Sequence, residues 1–358
     1  TGTLSAATYN TALGIGAMNA ITQGDYNVAI GYNAGTAVTT GVNNTLVGGL
    51  AGDALTTGGY NVAIGYKALS TEDGNGSSVA IGSQALETQN AGAEAYNVAI
   101  GRSAGYAVTT GVENVLIGGL AGDALTTGDY NTAVGHKSLS GEDTGNRNTA
   151  IGYKALEVLN YDGNSENTAV GYIAGGAITT GLRNTAIGSL AGDAITTGSD
   201  NVAIGRGALT NEDTGSRATA IGYAALNSQN YDGSSYNVGV GYNAGVLVST
   251  GINNTIIGGL AGDAMTQGQN NTLVGKGAGT DLTTGESNVA IGVSALGSED
   301  TGHDNTAVGF QALTTLNYNG SGYNTAVGRR AGYVVSTGIQ NTLIGANAGD
   351  ALTTGNYN

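Results

Sequence analysis

The chain has 358 residues and a net charge of −15, with 65 Gly, one Phe, no Pro, Cys or Trp, and only 10% charged residues. The lack of Pro and of a three-residue Gly period excludes collagen, and abundant Thr, Val and Ile argue against disorder. The acidic balance argues against nucleic-acid binding, the absence of Cys removes any disulfide framework, and no apolar run approaches the roughly 20 residues of a membrane helix.

Residues 1–9 match nothing that follows and read as an irregular lead-in. From Asn10 one phrase recurs. Asn27 to Gly35 reads NVAIGYNAG, and variants open at Asn61, Asn97, Asn131, Asn167, Asn201 and Asn324. The opening residue is Asn at every repeat start except Ser78 and Ala218. Sixteen of the twenty intervals are 17 residues, and the four that open at Ser78, Asn148, Ala218 and Asn305 are 19. Super-repeats of 70 residues start at 27, 97, 167 and 237, and an extra 17-residue unit at Asn271 to Ser287 breaks the fourth cycle. The array stops at Asn358, where another repeat would open, and Thr1 is not an initiator Met, so a segment of a longer protein is expected.

Counting from the Asn, position four is Ile or Val after an initial Leu13, position five is Gly from Gly14 to Gly345, and position eight is Ala except at Ser138. No i, i+3, i+4 stripe supports a helix. Two short strands per unit, joined by Gly/Asn/Asp turns, are expected. A fixed period of this size is the mark of a solenoid. The predicted fold is all-β: a parallel β-solenoid (β-roll) of about 20 coils over residues 10–358, forming a single continuous array. Like positions then stack at ~4.8 Å, with Ile30 over Val47 over Ile64 over Ile81, and the Asn residues bond along the stack. The 19-residue units carry their extra residues at one point, as in TQNAGAEAY (Thr88 to Tyr96) and VLNYDGNSE (Val158 to Glu166). These loops should protrude from one face every fourth coil. One Ile or Val with a few Ala per coil is little to bury, so self-association is expected, with Ala29, Ala34, Ala63 and Ala68 small enough for close approach between chains.

At NVAIG and NTAVG the sequence resembles the head repeats of trimeric autotransporter adhesins. The full unit NTAVGHKSLSGEDTGNR, Asn131 to Arg147, is similar to the 17-residue arrays of bacterial and phage tail-fibre-like proteins. The resemblance covers residues 10–358 and implies a left-handed β-roll trimerised along its axis. It implies a non-enzymatic structural fibre or stalk, extracellular or at the cell surface, or the shaft of a virion tail fibre. A carbohydrate-binding repeat module is the reading from another class. The partners implied are further copies of the chain, as a homotrimer or filament, and a host glycan or surface protein, with no nucleic acid and no membrane within the segment.

Candidate chemistry is sparse. Acidic residues recur at Asp53, Asp123, Asp193 and Asp263, and as the pairs Glu72/Asp73, Glu142/Asp143, Glu212/Asp213 and Glu299/Asp300. Calcium would need six to eight oxygens. Copies four rungs apart lie ~19 Å from one another, too far to share an ion, so solvated turn carboxylates and no cofactor are expected, with calcium as the alternative. His136 and His303, the only histidines, sit in turn-like contexts and read as solvent-exposed, and no catalytic constellation is predicted. GKGAGTD, Gly275 to Asp281, lacks the spacing of a phosphate loop. Thr39/Thr40 and their counterparts are expected as strand residues facing opposite ways. Nineteen Tyr recur, mostly at position six or just before the Asn, and read as packing and stacking residues. Tyr161, Tyr231 and Tyr318, in the long loops, are the candidate surface contacts.

Overall fold

The computed structural model describes residues 7–358. The chain divides into two compact units, one ending at Thr180 and one starting at Gly181. Each is a parallel β-solenoid, and among the described residues each contributes ten strands of three residues. In the first unit Val28–Ile30 pairs with Thr45–Val47 one repeat later, so that Ile30 meets Val47; Val47 meets Ile64, and Ile64 meets Ile81. Across a 19-residue unit the register lengthens by two and keeps like opposite like: Ile81 meets Ile100, and in the second unit Ile221 meets Val240. The expected ladder is therefore present in both units. Residues 1–6 of the expected lead-in lie outside those described. Thr8 and Tyr9 are already in register, with Thr8 hydrogen-bonded to Asp25 and Tyr9 stacked on Tyr26.

Each coil contains one strand, not the two expected. The reason lies in the backbone just after it. Position five is Gly at φ between 126° and 144°, and positions seven and nine follow in the left-handed region, as at Lys67 (φ 55°) and Leu69 (φ 52°). Residues of alternating hand fold into successive turns, so the remainder of the coil cannot run extended. Its N–H groups still reach the neighbouring rung, as from Gly35 to Ala51 O at 2.9 Å and from Thr39 to Thr56 O at 2.9 Å. The Thr-Thr-Gly segments thus lie in bends, and the Thr39 hydroxyl also donates to Thr56 O, at 3.1 Å. Position five must be Gly for a second reason: a Cβ on Gly65 would lie 2.4 Å from the carbonyl oxygen of Gly82 above it.

The strand points its middle residue inward. Ala29, Leu46, Ala63 and Ala80 are wholly buried, whereas Ile30 and Ile64, at position four, are about a third exposed (37% and 36%). Ala34 and Ala68, at position eight, are also buried. The small residues expected to meet other chains therefore line each coil's own interior, and the outward stripe is the Ile/Val ladder. Position three was placed on the wrong side because both it and position four are apolar.

The interior is filled by alternating sizes. Leu occurs at position three (Leu46, Leu116) or at position nine (Leu69, Leu139), and no coil carries a large side chain at both. Every coil with a large position three follows one with Gly at position nine. A Cβ on Gly35 would lie 2.6 Å from Leu46 Cδ1, and one on Gly245 would lie 2.8 Å from Ile256 Cδ1. Two large groups cannot share that space at native packing density.

The opening Asn binds each coil to itself and to the next. Asn44 Nδ2 donates to Gly58 O in its own coil at 2.8 Å, and Asn44 Oδ1 accepts the Asn61 N–H of the next at 3.0 Å. The two breaks in this ladder are repaired from position twelve. In the Ser78 coil, Gln89 donates to Ser78 Oγ at 3.1 Å and accepts from Asn97 Nδ2 at 2.9 Å. In the Ala218 coil, Gln229 donates to Ser235 Oγ at 3.0 Å and accepts from Asn237 Nδ2 at 3.0 Å. Buried polar groups need partners, and each missing side chain is replaced by a Gln in the same coil.

Candidate functional site

The four long loops interrupt the 17-residue period. Each sits above a coil whose position twelve is Glu: Glu72, Glu142, Glu212 and Glu299. All four side chains are fully buried. This corrects the expectation of solvated turn carboxylates for the Glu of each pair. Position twelve is an interior position, filled by Val38 or Leu55 in other coils, and GED looks like a turn only when read without its register.

The carboxylates are satisfied by N–H groups. Glu142 Oε1 accepts from Gly145 at 2.7 Å and from Asp143 at 3.1 Å, and Oε2 accepts from Tyr161 in the loop above at 3.4 Å. Glu212 accepts from Gly215 (2.8 Å), from Gln229 Nε2 (3.0 Å) and from Tyr231 (3.4 Å). Glu299 accepts from Gly302 (2.8 Å) and Tyr318 (3.3 Å), and Glu72 from Ala91 (3.3 Å). Burial holds the carboxyls of Glu142, Glu212 and Glu299 above the usual carboxylate range, against the opposing pull of these donors. A second tie holds three loops from outside: Thr144 to Asp162, Thr214 to Asp232 and Thr301 to Asn319, each at 2.7 Å. The loops are fastened to the coil beneath rather than standing free.

Tyr161, Tyr231 and Tyr318 are consequently half-buried. Each ring lies over the Gly two residues on; a Cβ on Gly233 would come within 3.1 Å of the Tyr231 ring. The structure does not bring these tyrosines together, since Tyr231 and Tyr318 lie five rungs apart, ~24 Å at the usual strand spacing. The exposed rings are elsewhere. At position six, His136 stacks on Tyr153 (5.8 Å between centroids) and Tyr153 on Tyr172 (5.5 Å); in the second unit Tyr223 stacks on Tyr242 (5.3 Å). The expected stacking is present along this column.

His136 is exposed, whereas His303 is half-buried, with Nδ1 accepting the Glu286 N–H at 2.9 Å. Among the described residues no three His, Asp or Glu side chains are grouped as metal ligands would be. Asp53, Asp123, Asp193 and Asp263 each have one buried carboxylate oxygen without a hydrogen-bond partner, and desolvation raises the pKa of each above the ordinary carboxylate range. Gly275 to Asp281 holds ordinary coil register, with Gly275 at φ 133° and Gly279 at φ 59°. Sequence reasoning missed the buried Glu and the bridging Gln. The available signal was their fixed place: Glu at position twelve only in the coil before a 19-residue unit, and Gln only in coils that lack the Asn.

No protein-family model and no curated protein matches the chain.

Proposed function

We propose that the chain is a non-enzymatic structural segment of a fibre, self-associating as a homotrimer, that serves as a spacer in an extracellular adhesin or surface filament; the shaft of a phage tail fibre is the related alternative. The observation that carries this reading is the constancy of the strand register within each unit. Each strand position recurs one rung later and is paired with the strands on either side, an arrangement that resists extension and repeats the Ile/Val ladder at fixed intervals. The position-four stripe supports self-association. Ile30, Ile64 and Ile100 are about a third exposed (37%, 36% and 36%) along one continuous ladder, and contiguous apolar surface of this kind marks contact faces. The fastened, half-buried Tyr161, Tyr231 and Tyr318 favour spacing over glycan capture at the long loops.

Sedimentation equilibrium tests the reading. The expected mass is three times the 35.1 kDa of one chain, falling to one chain when Ile64→Glu and Ile100→Glu are combined. A folded monomer of the unaltered chain at micromolar concentration would remove the oligomer from the proposal.

A further inference from the structure

Independently of the fibre reading, we propose that the second unit carries a binding site for a carboxylate-bearing monosaccharide, in a gutter opened at Gly207 and Ala224. Position seven stands between the outward columns of positions six and ten. It is filled by Leu190 in the coil before and by Asn243 in the coil after but holds almost nothing in the two successive coils of Gly207 and Ala224. The result is a cavity of about 190 Å³ open to solvent. That is the room of about six waters and below the ~300 Å³ of a drug-sized site, so the occupant is a single small ring.

The two walls differ in chemistry. On the position-six side, Arg206 lies 5.7 Å from the centroid of the Tyr223 ring and donates from Nη1 to Tyr223 Oη at 3.3 Å. Tyr223 is itself backed by Tyr242. The guanidinium is therefore held in place, it forms no ion pair among the described residues, and its Nε and Nη2 donors remain for a ligand. On the position-ten side two of the three side-chain donors are already spent. Asn227 Nδ2 donates to Gly207 O at 2.9 Å, and Thr210 Oγ1 to Leu190 O at 3.3 Å. What these groups leave for a ligand are the acceptors Asn227 Oδ1 and the Thr210 hydroxyl oxygen, with the second Asn227 N–H beside them. Leu190 and the Ala224 methyl give the gutter an apolar floor. Asp193, one rung below Thr210 in the position-ten column, adds negative character on the acceptor side.

A complementary ligand presents an anionic edge to Arg206, hydroxyl donors to the opposite wall and a C–H face to the floor. A sugar acid has all three, a neutral sugar lacks the first, and a simple carboxylate lacks the others.

The test titrates the full chain by calorimetry with methyl glucuronide, N-acetylneuraminic acid, methyl glucoside and acetate. At least one of the two acids should bind about tenfold more tightly than methyl glucoside or acetate, the scale of one charge-assisted hydrogen bond. Arg206→Gln should erase that preference. Gly207→Leu should plug the cavity and abolish binding while leaving the thermal unfolding curve in place, because Leu190 and Leu260 already hold the same left-handed conformation (φ 57° and 59°, against 65° at Gly207). Binding of neither acid at millimolar concentration overturns the proposal. So does equal binding of acetate, or binding that survives in folded Gly207→Leu.

Discussion

Substituting Gly65 by Ala tests the rung-on-rung packing most directly. The new methyl would meet Gly82 O at 2.4 Å and Gly82 C at 2.5 Å, backbone atoms that cannot swing aside. Residue 65 also sits at φ 137°, a region costing about 1–3 kcal/mol for a non-Gly residue. Relief requires the rungs to part locally, which lengthens the bonds from Gly82 N to Ile64 O (2.7 Å) and from Gln84 N to Tyr66 O (2.8 Å). At about 1 kcal/mol for each bond, the gross cost is ~3–5 kcal/mol. The reduced freedom of the unfolded Ala chain returns about 0.4–1 kcal/mol, leaving a net loss of ~2–4.6 kcal/mol. Gly49→Ala is the matched control. It sits at position six of the preceding rung, where a Cβ would find its nearest neighbour at an ordinary 3.7 Å. Urea unfolding followed by circular dichroism should show an early transition for Gly65→Ala and almost none for Gly49→Ala, with the early step confined to nearby coils because repeat arrays couple mainly through neighbours. If the two variants unfold alike, the close backbone stack is not what requires Gly.

The buried Glu make stability pH-dependent in an unusual direction. Because the Glu142 carboxyl is raised by burial, the native state holds its proton above the range near 4.5 where the unfolded chain releases it, so this residue's contribution falls as pH rises from about 4.5 through the folded value. Glu142→Gln should flatten that part of the stability–pH curve, and an unchanged slope counts against a buried carboxyl. Gln229→Ala removes the bond to the Ser235 hydroxyl and the shorter of the two bonds to Glu212 Oε2 and should cost about 2–4.5 kcal/mol by thermal unfolding, from about 0.5–1.5 for the neutral bond and about 1.5–3 for the one to a carboxylate. Adding Ala218→Asn should recover much of the loss by restoring the ladder, and no recovery would show that Gln229 does not stand in for the missing Asn.

The period of 17, the four intervals of 19 and the Gly at position five were enough to place the strand register, because a stacked fold makes every spacing a contact. The facing of side chains was less legible. Positions three and four are both apolar, and burial favours Ala over Ile only because two of the three strand residues point outward, leaving the interior to the middle one. Glu142 and Glu212 looked solvated since a carboxylate in SGEDTG or TNEDTG reads as a turn. Only the coil above, whose Tyr161 or Tyr231 N–H reaches down to the carboxylate, makes burial affordable. The cavity at Gly207 had no signal in any one repeat; it arises because two neighbouring coils lack the same side chain.

The pairing of a large position three with a preceding Gly at position nine amounts to a rule about succession. Leu46 follows Gly35, Leu116 follows Gly105, and Leu273, in the coil that breaks the fourth cycle, follows Gly262. Copying a stretch of whole super-repeats preserves every such neighbour relation, so duplication or loss of 70 residues by recombination leaves the interior packed as before. A coil moved singly is accepted only where its predecessor leaves the vacancy it needs. The array can therefore change length in evolution, or in the hands of an engineer, without a compensating mutation, provided the cut respects that order.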